Sequence, residues 1–166
     1  ERLRALRESE AQEALSRLGL PGDAATFLRL PDRFVPWERQ PGFDLAVATI
    51  ALLLRAHRPS TILVPWRGEH HCDHVASWQI VRAAAAQVTP QPRMLEYPIW
   101  LWERAMPHHD PTAREVTGWR LDIGPVLPQK LHAIQAHQSQ LTDLITDAQF
   151  AFQLEPDFLA NFARPW

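Results

Sequence analysis

The chain has 166 residues, of which 46% are apolar and 22% are charged, and its formal net charge is −2. This length predicts a single domain, residues 1–166, with a hydrophobic core. The small net charge gives no electrostatic reason to expect binding to nucleic acid or to an anionic membrane. The longest apolar run, Ala46–Leu54, is too short to span a bilayer. Cys72 is the single cysteine, which excludes an internal disulfide and favours a reducing cytoplasm.

Helical and strand-like patterns alternate along the chain. Apolar side chains in Glu1–Leu18 recur with a period close to 3.6, and Gly19 and Pro21 mark the end of this helix. The remaining predicted elements, in chain order, are a strand at Thr26–Leu30, a Pro-rich loop at Asp32–Gly42, a helix from Asp44 to His57, a strand at Thr61–Val64, a polar loop at Pro65–Cys72, a helix from Asp73 to Val88, strands at Met94–Trp100 and Glu115–Ile123, a helix from Pro128 to Ala148, and a short helix at Pro156–Phe162.

This alternation predicts an α/β fold, a Rossmann-like three-layer α/β/α arrangement with a mostly parallel sheet. Glu1 already lies within a helical pattern and no capping residue precedes it, so we expect the first strand of the sheet to lie upstream of these residues. Ligands of such sheets gather at the carboxyl ends of the strands. The loop Pro65–Cys72 leaves Thr61–Val64 at that end and is therefore the predicted location of the chemistry.

The loop and the following helix start are rich in metal-binding residue types: three histidines, one cysteine and two acids stand within six residues, Glu69–His74. His71 and His74 are three apart, so their rings can face the same side of a helix start. Asp73 between them could accept a ring N–H and fix a tautomer. The alternative is a solvated turn in which Asp73 caps the helix, because no complete zinc pattern of Cys and His is present.

Four stretches of the chain resemble one known family, the PIG-L (LmbE-like) zinc-dependent de-N-acetylases. The run Leu63–Arg67 followed by His71-Cys72-Asp73-His74 is similar to the family's second signature, a strand followed by His-x-Asp-His. The other similar stretches, in family order, are Arg7…Glu10 for its Arg-x-x-Glu helix, Glu96-Tyr97-Pro98 for its late strand, and Lys130…His137-Gln138-Ser139-Gln140 for its Lys…His-x-Ser-Gln helix. The first signature of the family, Ala-His-Pro-Asp-Asp-Glu, is not among these residues.

The resemblance implies a hydrolase that uses Zn²⁺ to remove an N-acetyl group from an N-acetylglucosamine-containing small molecule or glycoconjugate. It implies that His74 is one zinc ligand, and that the other two ligands and the general base belong to the first signature, expected upstream. His71 and Asp73 would tune the zinc ligand or the base. His137 would stabilise the oxyanion of the tetrahedral intermediate.

Two further residues are candidates for substrate contacts. The resemblance assigns Arg7 to the sugar, although a helix-surface salt bridge near Glu10 is the structural alternative. Trp66 stands beside the signature and is a candidate for stacking on a sugar ring, although a Trp is more often a core residue. His137 shares a predicted helical face with Lys130 and Ile134, where a histidine is otherwise usually a satisfied core residue.

Two other functions remain open at this point. One is a non-catalytic sugar-binding or interaction module of the same fold that has lost the metal site. The other is a different metal-dependent hydrolase that shares only His-x-Asp-His. The Pro-rich loop Asp32–Gly42 is a candidate surface for a homo-oligomer. The sequence upstream of Glu1 in the intact gene product distinguishes the de-N-acetylase from the non-catalytic module, because the enzyme requires His-x-x-Asp there.

Overall fold

The computed structural model describes residues 2–100, 116–145 and 153–166. Its described elements are the helices α1 (Arg2–Arg17), α2 (Phe43–His57), α3 (Cys72–Ala85), α4 (Leu127–Ile134), α5 (Gln138–Leu141) and α6 (Pro156–Ala160), with the strands β1 (Thr61–Pro65) and β2 (Arg93–Tyr97). The chain divides into two compact units, one of Leu28–Thr117 and one of Glu1–Phe27 together with Gly118–Trp166. The expectation of one domain over residues 1–166 stays a prediction.

The unit Leu28–Thr117 is built on a β-α-β arrangement, β1–α3–β2. The two strands pair in parallel, from Thr61 opposite Arg93 to Pro65 opposite Tyr97. Parallel neighbours require a crossover connection, and α3 supplies it. The predicted parallel pairing of these two strands is confirmed, and the fold is a mixture of helices and a small parallel sheet. The three-layer arrangement stays a prediction.

Small side chains let α2 and α3 pack closely in this unit. Ala51 on α2 and Ala76 and Ala84 on α3 are fully buried. The hydrophobic core that they share with larger side chains consists of Phe43, Ala46, Val47, Ala51, Ile80 and Ala84. Leu30 and Val35, from the segment before α2, pack against this core. The segment that precedes α2 is therefore held to the same core as the β-α-β arrangement.

The ends of α1 and α2 follow from local sequence. Gly19 has φ of +74°, and the Leu20 N–H donates to the Leu15 carbonyl, so α1 ends in the left-handed turn that glycine allows. Helix α2 ends at His57 before Pro59, as predicted. It begins one residue earlier than expected, at Phe43 with Gly42 as its N-cap. Asp44 therefore is not the cap but lies in the first turn, where its negative charge interacts favourably with the helix dipole.

Two predicted strands are absent from the described residues. Thr26–Leu30 is irregular, because Arg29 adopts a left-handed conformation with φ of +55° that interrupts an extended backbone. Glu115, the start of the other predicted strand, lies outside the described residues, and residues 116–123 form no strand. Trp119 and Leu121 in this stretch are 69% and 76% exposed, so these apolar side chains form no buried face of a strand.

The predicted long helix Pro128–Ala148 is confirmed up to Ile134, where it is interrupted. Helix α4 ends at Ile134, α5 covers only Gln138–Leu141, and the residues from 146 onward in that prediction lie outside the described ranges. In the unit to which it belongs, α1 packs on α4 and α5 through a small core of Ala14, Ala133 and Ala136. The predicted C-terminal helix is confirmed as α6 with a 3-10 turn after it. Among the described helices, none is both long and apolar enough to cross a membrane.

Candidate metal and catalytic site

The loop between β1 and α3 is fastened to β2, the neighbouring strand. The Trp66 N–H donates to the Tyr97 carbonyl at 2.9 Å. The carboxylate of Glu96 accepts the Arg67 N–H at 3.1 Å and also contacts the Arg67 guanidinium at 2.9 Å. These bonds hold the loop at the carboxyl ends of both strands, the edge at which the sequence predicts the chemistry.

Glu69 is a buried carboxylate within this loop, and sequence reasoning assigned it no role. Its side chain is 0% exposed. One oxygen accepts the Ile99 N–H at 2.6 Å, and the other accepts the Trp100 N–H at 3.0 Å and lies 3.4 Å from Nδ1 of His74. A buried charge requires such partners, because an unpaired one would be strongly destabilising. The available signal was a second acid in the loop, five residues before His74.

His71 is the N-cap of α3. Its ring Nδ1 accepts the backbone N–H of Asp73 at 3.3 Å. The alternative in which Asp73 caps this helix is therefore wrong, because the cap is a histidine. A neutral imidazole that accepts at Nδ1 carries its proton on Nε2, so His71 presents a donor at Nε2.

His74 has the opposite arrangement. Its Nδ1 lies 3.4 Å from the Glu69 carboxylate, and because a carboxylate can only accept, a hydrogen bond between them requires the proton on Nδ1 and leaves the lone pair on Nε2. The two rings lie side by side, with centroids 4.9 Å apart. Burial lowers the pKa of His74 from its ordinary value, and the contact with Glu69 acts in the opposite direction, as does the charge of Asp73. A metal binds the neutral imidazole through a nitrogen that carries a lone pair, and with the proton on Nδ1 that nitrogen of His74 is Nε2.

Asp73 reaches away from the two rings toward the segment before α2. One carboxylate oxygen accepts the Arg33 N–H at 2.6 Å, and the other accepts the Val35 N–H at 3.2 Å. Among the described residues, the partners of this carboxylate are these two backbone N–H groups and the Cys72 thiol rather than a ring N–H, and the tuning role of Asp73 stays a prediction. Its effect on His74 is through charge.

Three consecutive residues, His71, Cys72 and Asp73, offer ligand atoms that all lie within 4.8 Å of one another. Imidazole, thiolate and carboxylate are all zinc ligands, so the donor types fit this metal. The atoms are already engaged, however: His71 Nδ1 caps the helix and the Asp73 carboxylate holds two backbone N–H groups. Cys72 Sγ lies 3.7 Å from that carboxylate. The free nitrogen of His74 is therefore a better fit for a ligand than this triplet.

Trp66 lies against the turn of its own loop. A Cβ atom at Gly68 would come within 2.5 to 2.8 Å of three atoms of the Trp66 ring, so only glycine accommodates the ring there. Its Nε1 is buried and has no hydrogen-bond partner within the part of the chain that the structure describes. The ring is thus partly buried beside the candidate site, and its predicted stacking on a sugar stays a prediction.

Arg7 and His137 lie in the other compact unit. Arg7 is half-buried on α1, and its Nε has no partner among residues 2–100, 116–145 and 153–166. The Glu10 carboxylate accepts from Ser139 rather than from Arg7 within the described part of the chain. His137 is half-buried at the N-cap of α5 and makes no capping bond with its side chain. It stands in the break between two helices, which corrects its placement on one continuous helical face with Lys130 and Ile134.

A parallel β-α-β unit with a histidine-rich loop at the strand ends defines an α/β protein with a candidate metal site. The family model described as PIG-L: GlcNAc-PI de-N-acetylase matches residues 1–85, about half of the chain. The chain belongs to the PIG-L family, as the sequence motifs predict. The matched range includes His71, Asp73 and His74, whereas His137 lies beyond it. No curated protein gives a match to the chain.

Proposed function

We propose that the intact gene product containing this chain is a zinc-dependent hydrolase that removes the N-acetyl group from an N-acetylglucosamine-containing small molecule or glycoconjugate. Family membership supports a de-N-acetylase or a related hydrolase. The observation that carries the metal assignment is the contact between His74 Nδ1 and Glu69, which leaves Nε2 of His74 with its lone pair available.

The donor set of the described residues supplies one ligand of the proposed site, His74. The other two that the family resemblance implies, a histidine and an aspartate of its first signature, are not among these 166 residues. When bound, zinc acts as a Lewis acid that activates a water and polarises the amide carbonyl.

The residues of this chain have separate proposed roles around that chemistry. His71 carries its proton on Nε2 and is placed to donate a hydrogen bond or to tune its neighbour, His74. Asp73 keeps the segment at Arg33–Val35 in place and adds negative charge near His74. We propose that His137 stabilises the oxyanion and that Arg7 and Trp66 contact the sugar, as the family resemblance implies.

The metal assignment is tested by the zinc content of the intact gene product. We expect His74→Ala to lose most of the bound zinc, because an imidazole ligand is removed. His70→Ala is the matched control, since it removes an exposed histidine from the same loop. Equal zinc content in wild type and His74→Ala would contradict the site.

The activity is tested by acetate release from a panel of N-acetylated sugars, with and without a chelator. Release that zinc restores after chelation supports the proposed hydrolase. The alternative, a sugar-binding or interaction module of the same fold, predicts sugar binding without acetate release and no His-x-x-Asp segment in the intact gene product. The other alternative, a different metal-dependent hydrolase that shares only His-x-Asp-His, predicts metal-dependent hydrolysis of other bonds and no acetate release from these sugars.

A further inference from the structure

Glu69 is exceptional among the charged groups of its loop because it is fully enclosed and uses both carboxylate oxygens. Arg67, two residues earlier, has a side chain that is 47% exposed, whereas the Glu69 side chain is 0% exposed. A carboxylate buried to this degree is stable only where donors surround it. The donors here come from two places: the start of α3 and the segment that follows β2.

The two oxygens of Glu69 divide these donors unequally. Among the described residues, Oε1 accepts only the Ile99 N–H, in the shortest of the contacts at 2.6 Å. Oε2 is shared between the Trp100 N–H at 3.0 Å and Nδ1 of His74 at 3.4 Å. One oxygen therefore joins the His74 ring to the backbone of residues 99–100, and a shift of that segment would be transmitted to the ring.

We propose that Glu69 is a positioning residue for His74: its carboxylate holds the imidazole in the Nδ1–H tautomer and fixes the ring against residues 99–100, so that Nε2 is the nitrogen presented to the metal. The inference rests on the proposed function for the role of His74 as a ligand. A carboxylate on the far nitrogen of a ligating histidine fixes its orientation and raises its basicity. The tautomer itself is a property of the metal-free chain and is measured without zinc.

Glu69→Gln makes a specific prediction because an amide has only one accepting oxygen. The shortest contact, at Ile99, takes that oxygen, and the NH₂ group then faces Nδ1 of His74. A donor at this position favours a lone pair on Nδ1, which moves the proton to Nε2. We therefore expect Glu69→Gln to convert His74 from the Nδ1–H to the Nε2–H tautomer.

The tautomers are read from histidine side-chain ¹H–¹⁵N spectra of the metal-free full chain, at a pH above the ordinary histidine pKa of about 6.5. We expect the wild type to show the Nδ1–H tautomer at His74 and the Nε2–H tautomer at His71. We expect Glu69→Gln to show the Nε2–H tautomer at His74. The matched control is Glu96→Gln, which removes a second carboxylate that ties the same loop to β2 but contacts Arg67 rather than a histidine. It leaves both tautomers unchanged.

The second readout is zinc affinity of the intact gene product, measured by competition with a chromophoric chelator. We expect Glu69→Gln to weaken zinc binding by about 10–100-fold and Glu96→Gln to leave it unchanged. If Glu69→Gln does not fold, Glu69→Asp replaces it; this variant keeps the charge, shortens the side chain by one methylene, and weakens the longest contact, that to His74, first.

The outcomes separate the inference from the function on which it rests. An Nε2–H tautomer at His74 in wild type, or zinc affinity unchanged in a folded Glu69 variant while His74→Ala loses zinc, overturns the positioning role. Zinc content unchanged in His74→Ala overturns the proposed function and the metal part of the inference, whatever the tautomers are. The expected tautomers together with weaker zinc binding support both.

Discussion

The carboxylate of Glu10 accepts both the backbone N–H and the hydroxyl of Ser139, at 2.6 and 2.7 Å, and both residues are buried. In an uninterrupted helix the Ser139 N–H would donate to the carbonyl of Gln135. Here that carbonyl instead accepts the side-chain amide of Gln138 at 2.7 Å. The contact with Glu10 thus accompanies the break between α4 and α5, and it sets the position of the residues on either side of Ser139.

The Glu10–Ser139 contact leads to the first prediction. Glu10→Ala leaves the N–H and the hydroxyl of Ser139 buried without an acceptor, so we expect the free energy of unfolding to fall by about 2–3 kcal/mol, measured by urea denaturation. Glu13→Ala is the control on the same helix: it removes an exposed ion pair with Arg17 and should change stability by no more than about 0.5 kcal/mol. Equal losses of unfolding free energy in the two variants would contradict the stabilising role of the buried Glu10–Ser139 contact.

The second prediction concerns His137, which the break leaves at the start of α5. If it stabilises the oxyanion, His137→Ala lowers kcat by about 10–1000-fold while zinc remains bound. His132→Ala, which removes an exposed histidine of α4, leaves kcat unchanged. Loss of zinc from His137→Ala, or full activity in it, would contradict the proposed role.

The third prediction concerns Asp73 and the segment before α2. Asn at this position retains a single accepting oxygen for the two N–H groups of Arg33 and Val35. We expect Asp73→Asn to lower the free energy of unfolding by about 1–2 kcal/mol and to speed hydrogen exchange at these two amides. Asp32→Asn, at an exposed neighbouring carboxylate, is the control and leaves exchange unchanged. Unaltered exchange in Asp73→Asn would mean that its carboxylate does not hold the segment.

The fourth prediction concerns the position of the Trp66 ring. A methyl group at Gly68 would come within 3.0 Å of the ring, so the ring must move to accommodate Gly68→Ala. In protein labelled with fluorotryptophan, we expect one ¹⁹F resonance to shift, the same one that Trp66→Phe removes. The resonance of Trp78, on α3, serves as the internal reference and stays in place. A spectrum in which the Trp66 resonance does not change would contradict the close approach of the ring to Gly68.

Much of the local structure was predictable because its causes lie within a few residues. Gly19 ends α1 and Pro59 follows the end of α2, since each restricts the backbone at its own position. The β-branched run Thr61–Val64 is a strand, and the strand with which it pairs was also predicted. The family was likewise readable from the order of its motifs, and the comparison with residues 1–85 confirms it.

Two predicted elements were wrong, in whole or in part, because the local sequence pattern does not determine the backbone conformation there. The local pattern predicts a strand at Thr26–Leu30, but no described strand pairs with this segment, and Arg29 adopts a left-handed conformation that interrupts it. The helix period continues through Pro128–Leu141, yet Ser139 bonds to Glu10, which is 129 residues away in the chain. Sequence spacing does not reveal such a partner, because any buried acceptor could take that N–H.

At the candidate site, too, some features follow from the sequence and others depend on the fold. The family, the loop after β1 and the histidines within it were predictable from the sequence, since residue types and their order carry that information. The difference between His71 and His74 was not: in the fold, a backbone N–H occupies Nδ1 of His71, and the buried carboxylate of Glu69 faces Nδ1 of His74. A tautomer depends on which partner lies within hydrogen-bond distance, and Glu69 is held beside His74 by the backbone N–H groups of Ile99 and Trp100, which are 30 and 31 residues away from it in the chain.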